Sequence, residues 1–167
     1  VHMAEKYGRL PLQTSLQPAI RIAREGFPVY ARLAKGYESR RAVMERYAGT
    51  RAVFLADGDA PKEGEILRQP DLAETLSLLA KNGHDGFYRG PVAEKLLTGV
   101  NSEGGQWRAD ELASYRIRER TPIRFEYDGW QVVTAPPPSS GGIALAQMLQ
   151  ILEPWDLQSM APALRTH

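Results

Sequence analysis

The chain has 167 residues, a formal net charge of +1 and no cysteine. A chain of this length can bury about 70% of its unfolded surface around a core, and its 43% hydrophobic and 25% charged residues are ordinary for a globular protein. Near-neutral charge argues against a nucleic-acid or anionic-membrane partner. The lack of cysteine excludes disulfides, thiolate metal sites and a cysteine nucleophile. No apolar run approaches the roughly 20 residues of a membrane span.

The first half of the sequence has the periodicity of amphipathic helices. The apolar positions of the first predicted helix recur at i, i+3, i+4 and i+7: Leu16, Ala19, Ile20 and Ala23. Thr14 or Ser15 is predicted to cap this helix, and Gly26 to end it. A second helix is predicted from about residue 28 to 47, with a solvated polar face. Residues 51–67 have the composition of loops and turns.

Three further helices are predicted after residue 67. The first begins at Pro70, because proline suits the first turn of a helix, and ends at Asn82-Gly83. The second follows Gly90-Pro91 and is broken by Gly104-Gly105. The third is short, opening with Asp110 to Leu112 and ending near Tyr115.

The hydrophobic period then changes from that of a helix to that of a strand. Ile123, Phe125 and Tyr127 alternate with charged residues, which predicts a strand with one buried face. Asp128-Gly129 is a strong hairpin-turn signal, because both positions of a type I′ turn need a positive φ. The return strand is predicted from Trp130 to Thr134, and the prolines that follow it stop the ladder.

The last predicted element is a helix that begins at Gly141-Gly142. Eight of the ten residues from Ile143 to Leu152 are apolar, which predicts a helix buried on most of its sides. Helices followed by a hairpin and a buried helix indicate an α+β fold rather than alternating βαβ units. We expect a single partial domain: a helical lobe at 1–115, the hairpin and buried helix at 116–153, and a tail at 154–167.

Ser139-Ser140-Gly141-Gly142 stands between the return strand and the last helix. Backbone N–H groups at a helix N-terminus can bind an anion or an oxyanion. A serine cap, followed by glycines that let the helix approach the sheet, explains the same run without a ligand and is the favoured interpretation. The order is not Gly-x-Ser-x-Gly, so a nucleophile elbow is not supported.

The other polar residues also favour structural roles. The histidines at positions 2, 84 and 167 have no partner at metal spacing and are expected on the surface. Asp57-x-Asp59 lacks the other ligands of a calcium loop and is predicted to be a plain turn. Arg40-Arg41 and the basic stretch from Arg116 to Arg120 are interleaved with glutamates and are expected to be solvated.

Candidate catalytic groups are equally few. Asp110 and Glu111 lie in the first turn of a short helix, where they complement its macrodipole, and this explains them better than acid–base catalysis. Val1 cannot act as an N-terminal nucleophile, because that role needs a threonine, serine or cysteine whose free α-amine is the base.

A series of short motifs runs along the chain in a fixed order: Tyr7 to Leu12, Gln17 to Ile20, Ala23 to Val29, Leu67 to Ala73, Gly86 to Gly90, Gly104-Gly105, Asp110 to Tyr115, Ala135 to Ile143, Gln147 to Leu149 and Ile151 to Glu153. Taken in this order, the motifs resemble the large subunit of the γ-glutamyltransferases. They cover roughly residues 7–155, and the proline–serine–glycine run is the most specific of them. Arg108 departs from the pattern, since the family tends to have threonine or serine there, which puts the capping of the short helix in question.

The resemblance implies the following chemistry. Such enzymes are made as a precursor that cleaves itself into a large and a small subunit, which then form a heterodimer. The new N-terminal threonine of the small subunit attacks the γ-glutamyl amide of glutathione or a similar compound, and the acyl group passes to water or to an amino acid or peptide. The fold is the αββα sandwich of the N-terminal nucleophile hydrolases. Neither a metal nor an organic cofactor is expected, and bacterial relatives are usually periplasmic or secreted.

None of that machinery maps onto the residues of this chain. The nucleophile and most γ-glutamyl contacts would lie beyond His167, and the arginine that holds the substrate carboxylate would lie before Val1. We therefore predict no catalytic, substrate-binding or metal-binding residue, and a chain that is inactive alone. A scaffold fragment should also leave apolar surface uncovered, near Phe125, Trp130 and the helix from Ile143 to Leu152.

Two alternatives remain open from the residues alone. The first is an independent helical binding module without catalytic activity. The second is a different hydrolase that uses Ser139 or Ser140 as its nucleophile.

Overall fold

The computed structural model describes residues 1–55, 58–157, 159 and 160, and most of them are helical. The backbone divides into two compact units, the first spanning Val1–Tyr115 and the second beginning at Arg116. No helix of the described residues has the length and apolar content needed to cross a membrane. In chain order the elements are α1 (His2–Tyr7), α2 (Leu12–Glu25), β1 (Phe27–Pro28), α3 (Ala31–Met44), α4 (Ala48–Phe54), β2 (Ile66–Leu67), α5 (Pro70–Asn82), α6 (Asp85–Tyr88), α7 (Gly90–Ser102), α8 (Ala109–Ser114), β3 (Ile123–Tyr127), β4 (Trp130–Thr134) and α9 (Ser140–Leu152).

The packing of α2 on α5 is the most extensive helix contact in the first unit. The first predicted helix is confirmed as α2, which buries Ile20 and Ala23 and ends at Gly26 with φ +90°. The predicted cap is wrong, because the helix begins earlier, after Pro11, and no side chain caps it. Ser15 lies inside the first turn, where its hydroxyl donates to the carbonyl oxygen of Pro11 at 3.2 Å. A hydroxyl inside a helix commonly bonds back in this way.

The second predicted helix is confirmed as α3, Ala31–Met44, whereas the loop predicted for residues 51–67 is partly wrong. Helix α4 runs to Phe54, and the loop closes as a short antiparallel pairing of β1 with β2. Tertiary packing explains the difference. Met44, Leu55 and Ala60 form a small buried cluster, and the ring of Phe54 stacks on that of Tyr37 with centroids 5.4 Å apart. Burying this apolar run favours helix over loop.

The predictions for the middle of the first unit are confirmed. Helix α5 begins at Pro70 and ends at Gly83 with φ +57°, and α7 and α8 follow as expected. Helix α6 was not predicted, because one turn is too short to show a hydrophobic period. Gly86 is buried there, and a Cβ at this position would lie 2.2 Å from the carbonyl oxygen of Leu78.

The hairpin of the second unit has the predicted strand boundaries. Strand β3 pairs antiparallel with β4, from Ile123 opposite Thr134 to Tyr127 opposite Trp130. Asp128 and Gly129 both take a positive φ, of 48° and 75°, as a type I′ turn requires.

Helix α9 packs on β3 through one side only. Only Gly142 of the helix is buried, and Ile143, Met148 and Ile151 are 42%, 55% and 69% exposed. The prediction of a helix buried on most sides is therefore wrong for this chain, because its described residues cover only the face toward the hairpin. The expected apolar surface is present: Trp130 is 75% exposed, and Phe125 is half-buried.

The close approach of α9 to the end of β4 depends on Gly142. A Cβ there would lie 2.0 Å from the carbonyl oxygen of Ala135, whereas a Cβ on Gly141 would meet nothing closer than 3.7 Å. We expect Gly142→Ala to lower the free energy of unfolding by about 1–3 kcal/mol through overpacking. Gly141→Ala should be neutral or stabilising by up to about 1 kcal/mol. Urea unfolding followed by far-UV circular dichroism measures both, and equal effects of the two variants would contradict the packing argument.

Candidate functional site

The serine–glycine run lies at the start of α9, as the sequence predicted. Ser139 and Ser140 are exposed, and the N–H of Ser139 donates to the carbonyl oxygen of Pro136 at 3.2 Å. Ser139 is the N-cap residue of α9, as the sequence predicts, but its side chain makes no capping hydrogen bond. The predicted role of the glycines is confirmed for Gly142, which is buried against the backbone of Ala135, but not for Gly141, which is exposed.

A serine acts as a nucleophile only when a neighbouring base takes its proton. The sequence has no histidine between positions 84 and 167, so no imidazole lies within the described part of the second unit. Among the described residues, no hydrogen bond joins the side chain of Ser139 or Ser140 to a carboxylate. The hydrolase alternative based on these serines therefore gains no support.

His84 is engaged in structural contacts within the first unit. Its Nε2 lies 3.0 Å from the carbonyl oxygen of Tyr115, and its Nδ1 lies 3.3 Å from Asp85 Oδ1. A carbonyl oxygen only accepts, so the Nε2 proton is donated to Tyr115. His84 is 34% exposed, and its ring nitrogens already have protein partners. His2 lies in α1, while His167 lies outside the described residues.

The loop at Gly58 and Asp59, which the sequence offers as a weak candidate for a calcium loop, is held by Arg41. Arg41 donates from Nη1 to Asp59 Oδ1 at 2.9 Å, from Nη2 to the Gly58 carbonyl oxygen at 2.7 Å and from Nε to Glu45 Oε1 at 3.0 Å. Asp57 lies outside the described residues. Within the part of the chain that the structure describes, no three histidine or acidic residues are grouped to hold a metal ion. Arg41 was expected to be solvated, but it joins α3 to this loop.

The acidic pair at the start of α8 stabilises the helix terminus. The N–H of Arg108 donates to Glu111 Oε2 at 3.0 Å, which preserves one half of a capping box. The guanidinium of Arg108 donates two hydrogen bonds to Asp110, each of 3.0 Å. These bonds lower the pKa of Asp110 below its ordinary value. Asp110 is therefore ionised at neutral pH and has no proton to give as a general acid.

Arg108 stands where a serine or threonine is expected to cap α8, but it stabilises the start of the helix by a different contact. A guanidinium has no acceptor, so it cannot accept an N–H of the first turn. It pairs with Asp110 instead, and Glu111 supplies the reciprocal contact. The start of α8 is therefore stabilised by the contacts of Arg108 with Asp110 and Glu111.

Two partly buried tyrosines also remain neutral. Burial raises the pKa of Tyr37 and, with the neighbouring Tyr115, that of Tyr88. A phenol with a raised pKa keeps its proton at neutral pH, so neither side chain is suited to act as a base.

Three of the cavities formed by the described residues are large enough for a small molecule. The first, of about 490 Å³, is lined by residues 52–54, 59, 61 and 65–72; the second, of about 450 Å³, by residues 34, 35, 38, 41 and 59–63; and the third, of about 660 Å³, by residues 127–129, 153 and 155–157. None of these three linings includes a serine, threonine, cysteine or histidine among the described residues. Asp59, which lines the first two cavities, pairs with Arg41, and Glu65 in the first accepts the N–H of Lys62 at 2.9 Å.

Comparison with known proteins gives the family of the chain. The sequence profile of the family described as "Gamma-glutamyltranspeptidase" matches residues 1–167. The "Glutathione hydrolase proenzyme" of Escherichia coli (strain K12) is 42% identical over 157 residues, which are 92% of this chain and 27% of that protein. The "Acylase ACY 1 proenzyme" of Pseudomonas sp. (strain SE83) is 38% identical over 155 residues, 93% of this chain and 28% of that protein.

The fold is similar to that of a solved relative. Helicobacter pylori gamma-glutamyltranspeptidase superposes with a TM-score of 0.92 at 33% identity, over 96% of this chain and 46% of that one. The chain is thus a mostly helical piece of an N-terminal nucleophile hydrolase fold. It belongs to the gamma-glutamyltranspeptidase family. It spans about a quarter of the length of the curated relatives it matches.

The pairing of Arg108 with Asp110 predicts a pH effect with a definite sign. The folded pKa of Asp110 lies below the value of about 3.9 in unfolded chains. Its ionised form therefore stabilises the fold above that pH, and the contribution is lost as the pH falls through the folded pKa. We expect an NMR titration of the Asp110 carboxyl to have its midpoint below about 3.9, and Arg108→Gln to raise that midpoint.

A matched variant distinguishes the local effect of the Arg108–Asp110 pair on the pKa from the effect of a change in net charge. Arg24→Gln removes an equal charge from the end of α2, and it should leave the Asp110 titration nearly unchanged. An equal shift in both variants would show that long-range charge, and not the two hydrogen bonds, sets the pKa.

Proposed function

We propose that this chain is a scaffold segment of the large subunit of a γ-glutamyltransferase, or glutathione hydrolase. The observation that carries the proposal is the family match over residues 1–167, combined with a span of 27% of the Escherichia coli glutathione hydrolase proenzyme. That relative is more similar to the chain than the Pseudomonas acylase, at 42% against 38% identity. The proposed substrate of the whole protein is therefore a γ-glutamyl amide such as glutathione.

The proposed reaction is acyl transfer through a covalent intermediate. The hydroxyl oxygen of an N-terminal threonine attacks the γ-glutamyl carbonyl carbon, and the free α-amine of that threonine takes the hydroxyl proton. The amide C–N bond breaks, the amine leaves with the proton, and a γ-glutamyl ester remains on the enzyme. Water or the amine of an amino acid or peptide then attacks the ester, which releases the product and restores the threonine.

This chain supplies none of the reacting groups in that scheme. The proposed partner is the small subunit made from the same precursor, in keeping with relatives that are named proenzymes. Residues 1–115 would form a helical lobe, and residues 116–153 would form the hairpin and helix that enter an αββα sandwich.

Uncovered apolar surface in the second unit supports the scaffold role. An isolated two-stranded hairpin is marginally stable in water, and α9 covers only one of its faces. The outward side of that helix is apolar, with Ile143, Met148 and Ile151 exposed, and Trp130 lies exposed on the hairpin. In the proposed assembly the rest of the protein covers these residues and contributes the missing layers of the sandwich.

The first test of the proposal is catalytic. The purified 167-residue chain should release no anilide from a γ-glutamyl anilide at a steady rate, because it contributes no nucleophile. The complete protein that carries this segment should turn the substrate over. Steady turnover by the chain alone would reject the scaffold role. A complete protein that cleaves other acyl amides but not the γ-glutamyl anilide would reject the substrate.

The second test concerns the covered face. In the complete protein, Ile151→Gln should lower the free energy of unfolding by about 2–3 kcal/mol, because it replaces a buried apolar side chain by a polar one. In the 167-residue chain the same change should alter it by less than about 0.5 kcal/mol, as for an exposed position. Thermal unfolding of both forms measures the contrast.

Tyr47→Gln is the matched control for that test. Tyr47 is 58% exposed and lies in the first unit. A similar small effect of Ile151→Gln in the chain and in the complete protein would show that the rest of the protein does not cover this face.

A further inference from the structure

Three aromatic rings stack where the first unit ends. The ring of His84, in the turn between α5 and α6, lies over Tyr88 with centroids 4.5 Å apart and an interplanar angle of 21°. Tyr88 in turn stacks on Tyr115 at 4.9 Å and 11°. Phe87 meets the edge of Tyr88 at 5.0 Å. The stack joins α6 to the residue that follows α8.

The hydrogen bonds of this cluster act on the backbone of Tyr115. His84 Nε2–H donates to the carbonyl oxygen of Tyr115 at 3.0 Å, and the backbone N–H of Tyr115 donates to the carbonyl oxygen of Leu112 at 3.1 Å. Both main-chain polar groups of Tyr115 are therefore held, and its ring is held by the stack. The next residues, 116–121, are exposed and lie outside regular secondary structure.

We propose that His84, Tyr88 and Tyr115 form a clasp that fixes the point where the chain leaves the first unit. His84 is then a positioning residue for the junction at 116–120, and not a catalytic residue. This role is independent of the proposed acyl transfer, because it concerns only contacts within the first unit. It predicts that loss of the clasp loosens the junction while the helices stay folded.

The other neighbours of His84 are secondary to the clasp. Its Nδ1 faces Asp85 Oδ1, and the same carboxylate oxygen lies 3.3 Å from Arg89 Nε. The Asp85 side chain is 64% exposed, and exposed ion pairs contribute little. Asp85→Asn should therefore leave the junction nearly unchanged.

Limited trypsin digestion of the full chain measures the proposal directly, because Arg116, Arg118 and Arg120 are exposed cleavage sites in the junction. The readout is the cleavage rate there relative to the rate at Lys62, which lies in an exposed loop of the first unit. His84→Ala should raise this ratio about threefold to tenfold, the effect on local opening of losing one hydrogen bond and part of a ring stack. His84→Gln should restore part of the protection, because its amide can still donate to the Tyr115 carbonyl.

Asn101→Ala is the matched control. Asn101 holds a different loop in the same way, donating from Nδ2 to the Trp107 carbonyl oxygen at 3.0 Å and accepting the Trp107 N–H at 2.8 Å. This variant should leave the junction ratio unchanged, although it loosens another loop of the same unit. The inference is overturned by an unchanged ratio in His84→Ala, or by an equal rise in Asn101→Ala.

A second variant covers the case in which His84→Ala does not fold by circular dichroism. Tyr88→Leu keeps apolar volume and removes both stacks, so it should raise the junction ratio in a chain that remains helical. A folded Tyr88→Leu variant with the wild-type ratio would equally overturn the clasp.

Discussion

The organisation of this chain depends on one constraint, that a helix apolar on most of its sides is stabilised fully only when those sides are buried. Helix α9 meets the hairpin through one face, and its other face carries exposed apolar side chains. The contact that does form is very close, because Gly142 lies against the carbonyl oxygen of Ala135. Among its described residues, the second unit thus combines well-formed local packing with an apolar helix face that they leave exposed.

The first unit is held together differently, by many small local contacts. Helix α2 packs on α5, a small cluster forms around Met44, and Arg41 ties the loop at Gly58 and Asp59 to α3. The charged and aromatic residues that could have suggested chemistry are engaged in these contacts. Asp110 pairs with Arg108, and His84 donates to a backbone carbonyl. These polar contacts position the backbone, which fits a scaffold better than a reaction centre.

Family membership and the proposed function therefore rest on different grounds. The gamma-glutamyltranspeptidase family follows from a match along the chain and from a close superposition on a solved relative. The substrate, the threonine nucleophile and the small-subunit partner concern a whole protein about four times as long as the matched segment of this chain. The same fold carries relatives named hydrolases and acylases, so fold alone does not select the substrate.

The sequence by itself determined the elements whose signals are local. The hairpin from Ile123 to Thr134 follows from alternation and an Asp-Gly turn, and α5 follows from its proline start and glycine end, because φ restrictions act within a few residues. Only the tertiary structure decided the features that depend on distant neighbours: the helical turn at α4, the clasp at His84, the need for glycine at position 142 and the exposure of α9. A sequence shows that a helix is apolar, but whether that surface is covered depends on which other chain segments are present to pack against it.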